Sequence, residues 1–157
     1  MKSQFIKVAF AEDHIAVREG IAGLLNNDPF ITVIIQCENG KILLDKLMTL
    51  ETMPDVCLID LNMPVMNGFE VLMKIRKKWP ELPCIVLSAV VEDNYIIRLF
   101  RLGVNSFLNK SCTTEEIILA IKQVHHCGHY YNDILNERII ENVINVKKKL
   151  PTLNNRE

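Results

Sequence analysis

Five residues in this 157-residue sequence have the types and placement to act together on a phosphoryl group: Glu12, Asp13, Asp60, Ser88 and Lys110. Each stands at the end of a short apolar run. Glu12-Asp13 follows Ile6–Ala11, Asp60 follows Val56–Ile59, Ser88 follows Cys84–Leu87 and Lys110 follows the run from Val104 to Leu108. Three carboxylates gathered at one point repel one another and need a counter-charge. A hard divalent cation supplies it, and oxygen ligands with room for water suit Mg²⁺. One carboxylate can then attack phosphorus as a nucleophile. The cation, an ammonium and a hydroxyl would stabilise the charge on the transferring oxygens. These roles assign Glu12 and Asp13 to the metal, Asp60 to nucleophile and metal ligand, Lys110 to cationic clamp and Ser88 to oxygen donor. Any one of these residues alone would read as a solvated loop acid, a small strand end or a surface lysine. Their joint placement sets that reading aside.

Positioning them requires a regular scaffold, and the sequence alternates short apolar runs with longer amphipathic ones. In Ile15–Leu25 the apolar residues Val17, Ile21, Leu24 and Leu25 recur at helical spacing until Asn26-Asn27-Asp28-Pro29 breaks the pattern. Ile31–Ile35 is β-branched and strand-like, and Lys41–Leu50 is helical. Asn67-Gly68-Phe69-Glu70 reads as a capping box that opens a helix to about Trp79. Glu92–Leu102 forms another helix, closed by Gly103. Thr113-Thr114-Glu115-Glu116 is a second capping box, for a helix reaching His126, and a last helical pattern runs from about Ile134 to Lys149. The runs at Ile6–Ala11, Val56–Ile59 and Cys84–Leu87 are continuously apolar, as expected of parallel strands covered on both faces. The alternation predicts a doubly wound α/β sheet, whose ligands sit at the carboxyl ends of the strands.

Hydrophobic residues make up 49% of the chain and charged residues 24%, with a net charge of -1. That balance suits a globular domain and argues against a surface devoted to nucleic acid. No run approaches the roughly 18 apolar residues of a membrane span, and no signal region leads the chain, so a cytoplasmic protein without membrane contact is expected. Five cysteines, an odd number with no C-x-x-C, read as reduced thiols. His125, His126, Cys127 and His129 have good zinc-ligand types, but adjacent helical residues diverge, and a helix terminus is the expected reading. His14 reads as a surface helix start, and Lys147-Lys148-Lys149 as a solvated helix end.

An acidic pair after the first strand, then Asp60-Leu61-Asn62-Met63-Pro64-Val65-Met66-Asn67-Gly68, then Ser88 and Lys110, resembles the response-regulator receiver family. The motif D-x-x-M-P-x-x-x-G and the ordered strand ends carry the resemblance to about His126. It implies a flavodoxin-like (CheY-like) five-stranded sheet of order 2-1-3-4-5. It also implies phosphoryl transfer onto Asp60 from a phosphohistidine of a sensor histidine kinase. The backbone carbonyl of Asn62 would complete the Mg²⁺ shell, and Phe107 would be an aromatic switch residue responding to Ser88. The face of the fourth helix, fifth strand and fifth helix would read out the state. Asn62 and Val90 are expected beside the pocket, where they would help set the phosphoryl lifetime.

Many receivers follow the lysine with proline; here Ser111 follows Lys110, which fits the subgroup attached to LuxR/NarL-type DNA-binding domains. Leu153-Asn154-Asn155-Arg156-Glu157 resembles the L-T-x-R-E opening of that helix-turn-helix domain. The expectation is a receiver over 1–128, then a linker helix and the start of a truncated helix-turn-helix domain over 129–157. DNA contact, and control of transcription, would come only through a C-terminal domain absent from this chain. A homodimer is expected through helices one and five, or through the fourth-helix face. The protein is expected to be a signalling switch that catalyses only its own phosphoryl transfer and dephosphorylation. A stand-alone receiver working through protein contacts would use the same Asp60 chemistry. A phosphatase of the haloacid-dehalogenase type is disfavoured, because Asp60-Leu61-Asn62 lacks the second acid of D-x-D and the metal acids precede the nucleophile.

Overall fold

Residues 5–89 and 92–132 are described in the computed structural model. Val90, the helical pattern from Ile134 to Lys149 and the tail Leu153–Glu157 lie outside them. The elements run β1 (Ile6–Ala11), α1 (Ile15–Asn27), β2 (Ile31–Cys37), α2 (Gly40–Thr49), β3 (Val56–Asp60), α3 (Gly68–Lys78), β4 (Cys84–Ser88), α4 (Asp93–Arg101), β5 (Ser106–Asn109) and α5 (Thr114–Cys127). The strands are parallel and lie in the order β2-β1-β3-β4-β5, as the sequence pattern and the resemblance led one to expect. No helix among the described residues is long and apolar enough to cross a membrane.

Every residue of β3 and β4 is buried, which is why those runs show no apolar–polar alternation. Their side chains divide between two cores. On one face Cys57, Ile59, Cys84 and Val86 pack with Leu43 and Leu47 of α2, Leu72 and Ile75 of α3, and Ile96 and Leu99 of α4. On the other, Val56, Leu58, Ile85 and Leu87 meet Ala22 and Leu25 of α1 and Ile117, Ile121 and Val124 of α5. Each large side chain removed from water in this way contributes roughly 1.5–3 kcal/mol. Cys37, Cys57 and Cys84 are buried within the first core, and all five cysteines are free thiols.

Several boundaries differ from the sequence expectation for identifiable reasons. Strand β2 continues to Cys37 because Gln36 and Cys37 pair with Phe10 and Ala11. The pairing passes from Val8↔Val33 to Ala9↔Ile35, so Ile34 is an extra, bulged residue on this edge strand. The Asn26 side chain accepts the Val33 N–H at 2.8 Å, capping a donor that the edge would otherwise expose. Helix α4 is one residue shorter at each end, with Glu92 extended at its N-cap and Leu102 at its C-cap. Strand β5 starts at Ser106, not Val104, because the Val104 N–H bonds back to Leu99 O and finishes the turn at Gly103, whose φ is 79°.

Both halves of the capping box expected at α3 form: Asn67 accepts the Glu70 N–H, and Glu70 accepts the Asn67 N–H. At α5 only one half does. Thr113 accepts the Glu116 N–H, but the Glu116 carboxylate accepts from Tyr130 Oη at 3.2 Å and Asn132 Nδ2 at 3.0 Å. The chain leaving Gly128 is thus drawn back over the domain. Asn105 Nδ2 donates to Gly128 O, Ser106 Oγ donates to Tyr130 O, and the Tyr131 ring meets Phe100 of α4 edge-on at 5.5 Å.

Gly68 opens α3 where the backbones crowd. A Cβ there would lie 2.7 Å from Leu61 Cα and 2.8 Å from Asp60 O, both backbone atoms that cannot swing aside. Gly68→Ala is therefore expected to lower stability by on the order of 2 kcal/mol in urea unfolding. Gly20, exposed on α1 with nothing within 4 Å of an added Cβ, should show the opposite sign. Gly20→Ala is expected to raise stability by up to about 1 kcal/mol. Equal effects of the two substitutions would contradict the packing described for Gly68.

Candidate functional site

The order β2-β1-β3-β4-β5 reverses direction between β1 and β3, and ligand crevices of open α/β sheets form at such a point. Glu12 and Asp13 leave β1 there, and Asp60 ends β3 beside them. Register holds the strand ends level: Ala11 pairs with Ile59, Asp60 with Leu87, and Ser88 with Asn109. Lys110 follows β5, and its N–H donates to Ser88 O at 2.9 Å, fastening the ends of β4 and β5.

Glu12, Asp60 and Ser88 are fully buried, with exposures of 0%, 1% and 0%. The Lys110 ammonium lies 2.8 Å from Glu12 Oε1 and 3.1 Å from Asp60 Oδ2, bridging the two carboxyl groups. The Asn62 N–H donates to Asp60 Oδ1 at 3.3 Å. Glu12 Oε2 accepts the backbone N–H of His14 at 3.0 Å and lies 3.1 Å from its ring Nδ1. The Arg18 guanidinium reaches back from α1 to donate to Glu12 O at 2.7 Å. Among the described residues Asp13 Oδ1 is buried with no hydrogen-bond partner, and the His14 ring Nδ1 lies 3.3 Å from it.

These contacts set the protonation balance. Burial, and then the Glu12 carboxylate, push the Asp60 carboxyl up from 3.8 to about 6, against the pull of Lys110 and the Asn62 N–H. Burial also opposes ionisation of Glu12, but Lys110 and His14 override it and hold Glu12 below the usual carboxylate range. Burial opposes the charged Lys110, and the Glu12 and Asp60 carboxylates override it, raising the ammonium above its ordinary value.

The donor set fits a hard divalent cation. Glu12 and Asp60 share the Lys110 ammonium, and among the described residues the buried Asp13 Oδ1 accepts no hydrogen bond. Ligand atoms of Glu12, Asp13 and His14 all lie within 4.8 Å of one another. His14 and Arg18 were not assigned to the pocket from sequence. The signal for His14 was its position two residues after Glu12, and for Arg18 its position one helical turn further on.

Phe107 is 1% exposed and packs in the same apolar cluster as Ile96, Leu99 and Phe100 of α4. The aromatic thus lies inside. Asn62 is exposed and lines a crevice of about 210 Å³ with Leu61, Asn67, Phe69 and Tyr95. Between Asp60 and α3, Val65 takes φ 69° while the Met66 N–H bonds to Pro64 O at 2.7 Å. That is a γ-turn of the strained hand, centred on a β-branched residue that is 75% exposed. Away from the pocket, His129 stacks on Tyr131 at 5.1 Å, and the His125 and His126 rings stand 5.5 Å apart.

A doubly wound sheet with a lysine-bridged acidic pocket at its switch point defines a flavodoxin-like domain with chemistry at one edge. Residues 8–122 match the family model of the response regulator receiver domain, and the chain belongs to that family. It is 31% identical over 144 residues to the response regulator protein VraR of Staphylococcus saprophyticus, covering 92% of the chain and 64% of that protein. It is 36% identical over 111 residues to the transcriptional regulatory protein YdfI of Bacillus subtilis, covering 71% of the chain and 51% of that protein. The chain thus spans between half and two thirds of the length of these relatives. Its fold matches the receiver domain of the Francisella response regulator 1452 at a TM-score of 0.70 and 26% identity, over 76% of this chain and 95% of that one. A LuxR-family two-component response regulator from Aurantimonas has the same fold at a TM-score of 0.79 and 21% identity, over 89% of this chain and 99% of that one. Response regulators are signalling proteins, not metabolic enzymes.

The raised Asp60 carboxyl has a thermodynamic signature. Its folded value, about 6, lies above its ordinary 3.8. The associated stability is therefore fully present below pH 3.8 and is lost as pH rises through about 6. Asp60→Asn removes this loss, so in EDTA the variant should melt above wild type at pH 7.5, by a margin on the order of 2 kcal/mol. The margin should shrink toward pH 4.5. A margin independent of pH in thermal melts would show that Asp60 carries no such burden.

Proposed function

We propose that this chain is the phosphoacceptor module of a two-component response regulator, taking a phosphoryl group onto Asp60 from a phosphohistidine of a sensor histidine kinase. The observation that carries the reading is the Lys110 ammonium held between Glu12 and Asp60 at the carboxyl ends of β1, β3 and β5. An Asp60 carboxylate oxygen forms the new P–O bond. The P–N bond to the donor imidazole breaks, and its electron pair stays with the ring. Lys110, already at hydrogen-bond distance from Asp60, meets the charge on the arriving phosphoryl oxygens. The Ser88 hydroxyl is the further oxygen donor, and its strand end is fixed by the Lys110 N–H.

Mg²⁺ would be held by Glu12, Asp13, Asp60 and the backbone carbonyl of Asn62, and when bound it neutralises charge on the phosphoryl oxygens. In this reading, Phe107 signals by repacking against α4 and not by swinging in from solvent, because its ring already lies among Ile96, Leu99 and Phe100. The domain boundary is proposed at 128, where Gly128 adopts φ 88° and closes α5. Residues 129–157 would lead to a DNA-binding output. Support comes from relatives named as transcriptional regulators, of which this chain spans only part. A homodimer and a cytoplasmic location belong to the same reading, as does release of the phosphoryl group in the same pocket.

Intact-mass measurement after acetyl phosphate and Mg²⁺ tests the mechanism. Wild type should gain one phosphoryl group, and Asp60→Asn and EDTA-treated protein none. Lys110→Ala should label at least tenfold more slowly, consistent with removal of a buried charge-assisted contact. Labelling that persists in Asp60→Asn would remove Asp60 as the acceptor.

A further inference from the structure

We infer that the groove between α2 and α3 is a docking site for an acidic amphipathic helix of a partner protein. The groove holds about 370 Å³. Its apolar lining comes from Leu44 and Met48 of α2, Met66 of the loop before α3, and Trp79 after it. Lys74 and Lys78 of α3 stand along it. Met48 is 60% exposed, a long apolar side chain left in water with no packing reason within the fold. Unbranched and polarisable, methionine adapts to a partner's surface better than a branched side chain does.

The charge is one-sided. The acid lining the groove, Asp45, is spent on Lys41 at 3.3 Å. Lys74 is exposed and makes no ion pair or hydrogen bond among the described residues, and Lys78 Nζ lies 5.6 Å from the Trp79 ring centroid. Lys77 adds to the same helix end, while the Arg76 guanidinium turns away from the groove to the carbonyls of Leu82, Leu102 and Gly103. Part of this suits the helix dipole, which favours cations at a carboxyl end. The dipole does not explain an apolar trough beside those cations.

Apolar floor and cationic rim together select the occupant. A helix docking in this mode lays apolar anchors at i, i+3 or i+4, and i+7 along a groove. Glutamates flanking that stripe would meet Lys74 and Lys78. A nucleic acid would use the lysines but gain nothing from Leu44, Met48 and Met66. The upper end of the groove is rigid, since the Gly40 N–H bonds to Met66 O at 3.2 Å and a Cβ on Gly40 would meet that oxygen at 2.9 Å. The inference stands whether or not Asp60 accepts a phosphoryl group.

Trp79 is the single tryptophan of the chain, so its emission reports on the groove. The probe is a synthetic helical peptide with leucines at i, i+3, i+4 and i+7 and glutamates elsewhere, titrated by fluorescence and by calorimetry. Saturable binding is expected. Lys74→Gln with Lys78→Gln should weaken it at least tenfold, and Met48→Ala severalfold, all three residues being exposed and their variants expected to remain folded by circular dichroism at the assay temperature. The same peptide with lysines for glutamates should not bind. Absence of saturable binding by both methods would overturn the inference, as would equal binding of the lysine peptide. Competition by duplex DNA at equal charge concentration would also overturn it, by revealing a general polyanion surface.

Discussion

Two carboxyl groups removed from water, Glu12 and Asp60, share one ammonium, and the architecture can be understood as what is needed to keep that trio in place. Lys110 stands 2.8 Å and 3.1 Å from the two acids, at the ends of three different strands. A buried carboxylate without a partner would take up a proton or draw in water. A lysine on a mobile loop could not hold two acids at once. Parallel pairing of β1 with β3, β3 with β4 and β4 with β5 fixes all three backbones at one level. The balance remains incomplete, since the Asp13 carboxyl adds a third acid within 4.8 Å of Glu12. The Asp60 carboxyl is raised to about 6, and among the described residues Asp13 has a buried oxygen that accepts no hydrogen bond. An acidic pocket short of positive charge is one that a cation, and then an anion carried in with it, can complete.

The supporting shell is built for stiffness where the pocket needs it. Gly68 allows α3 to begin directly against Leu61 and Asp60, and its N–H donates to Leu61 O at 2.8 Å. Asn67 and Glu70 then satisfy each other across the first turn of the helix. On the other wall, His14 and Arg18 hold Glu12 by both side chain and backbone. These contacts use short local bonds in place of apolar burial. The crevice mouth can therefore stay open to solvent without losing its shape.

Much of this was readable from residue types and spacing because the signals are local. Apolar runs of four to six residues ending in Asp60, Ser88 or Lys110 gave the strand ends, and parallel pairing turned strand ends into a site. Where legibility failed, a distant partner decided the outcome. The Glu116 carboxylate was expected to close a capping box, but Tyr130 and Asn132, many residues on, offer it two donors. The bulge at Ile34 sits beside the Val33 N–H that Asn26 accepts, a contact between the last turn of α1 and β2 that local spacing does not reveal. His14 and Arg18 joined the pocket because α1 starts with its first turn folded over Glu12, an orientation that periodicity does not encode. For Phe107, the family resemblance suggested a switch role but could not say on which side of the sheet edge the ring would rest.

The γ-turn at Val65 bears on how evenly balanced the resting state is. A β-branched residue at φ 69° is held uphill by on the order of 1–2 kcal/mol, and it sits between the proposed acceptor and α3. Two bonds keep it there, Gly68 N–H to Leu61 O and Gly40 N–H to Met66 O. Should either anchor shift, the loop would relax downhill, and an energy of that size changes the ratio of two conformers by about tenfold. The strain is thus stored by the stiff contacts around the loop, and any rearrangement that loosened them would be helped by its release.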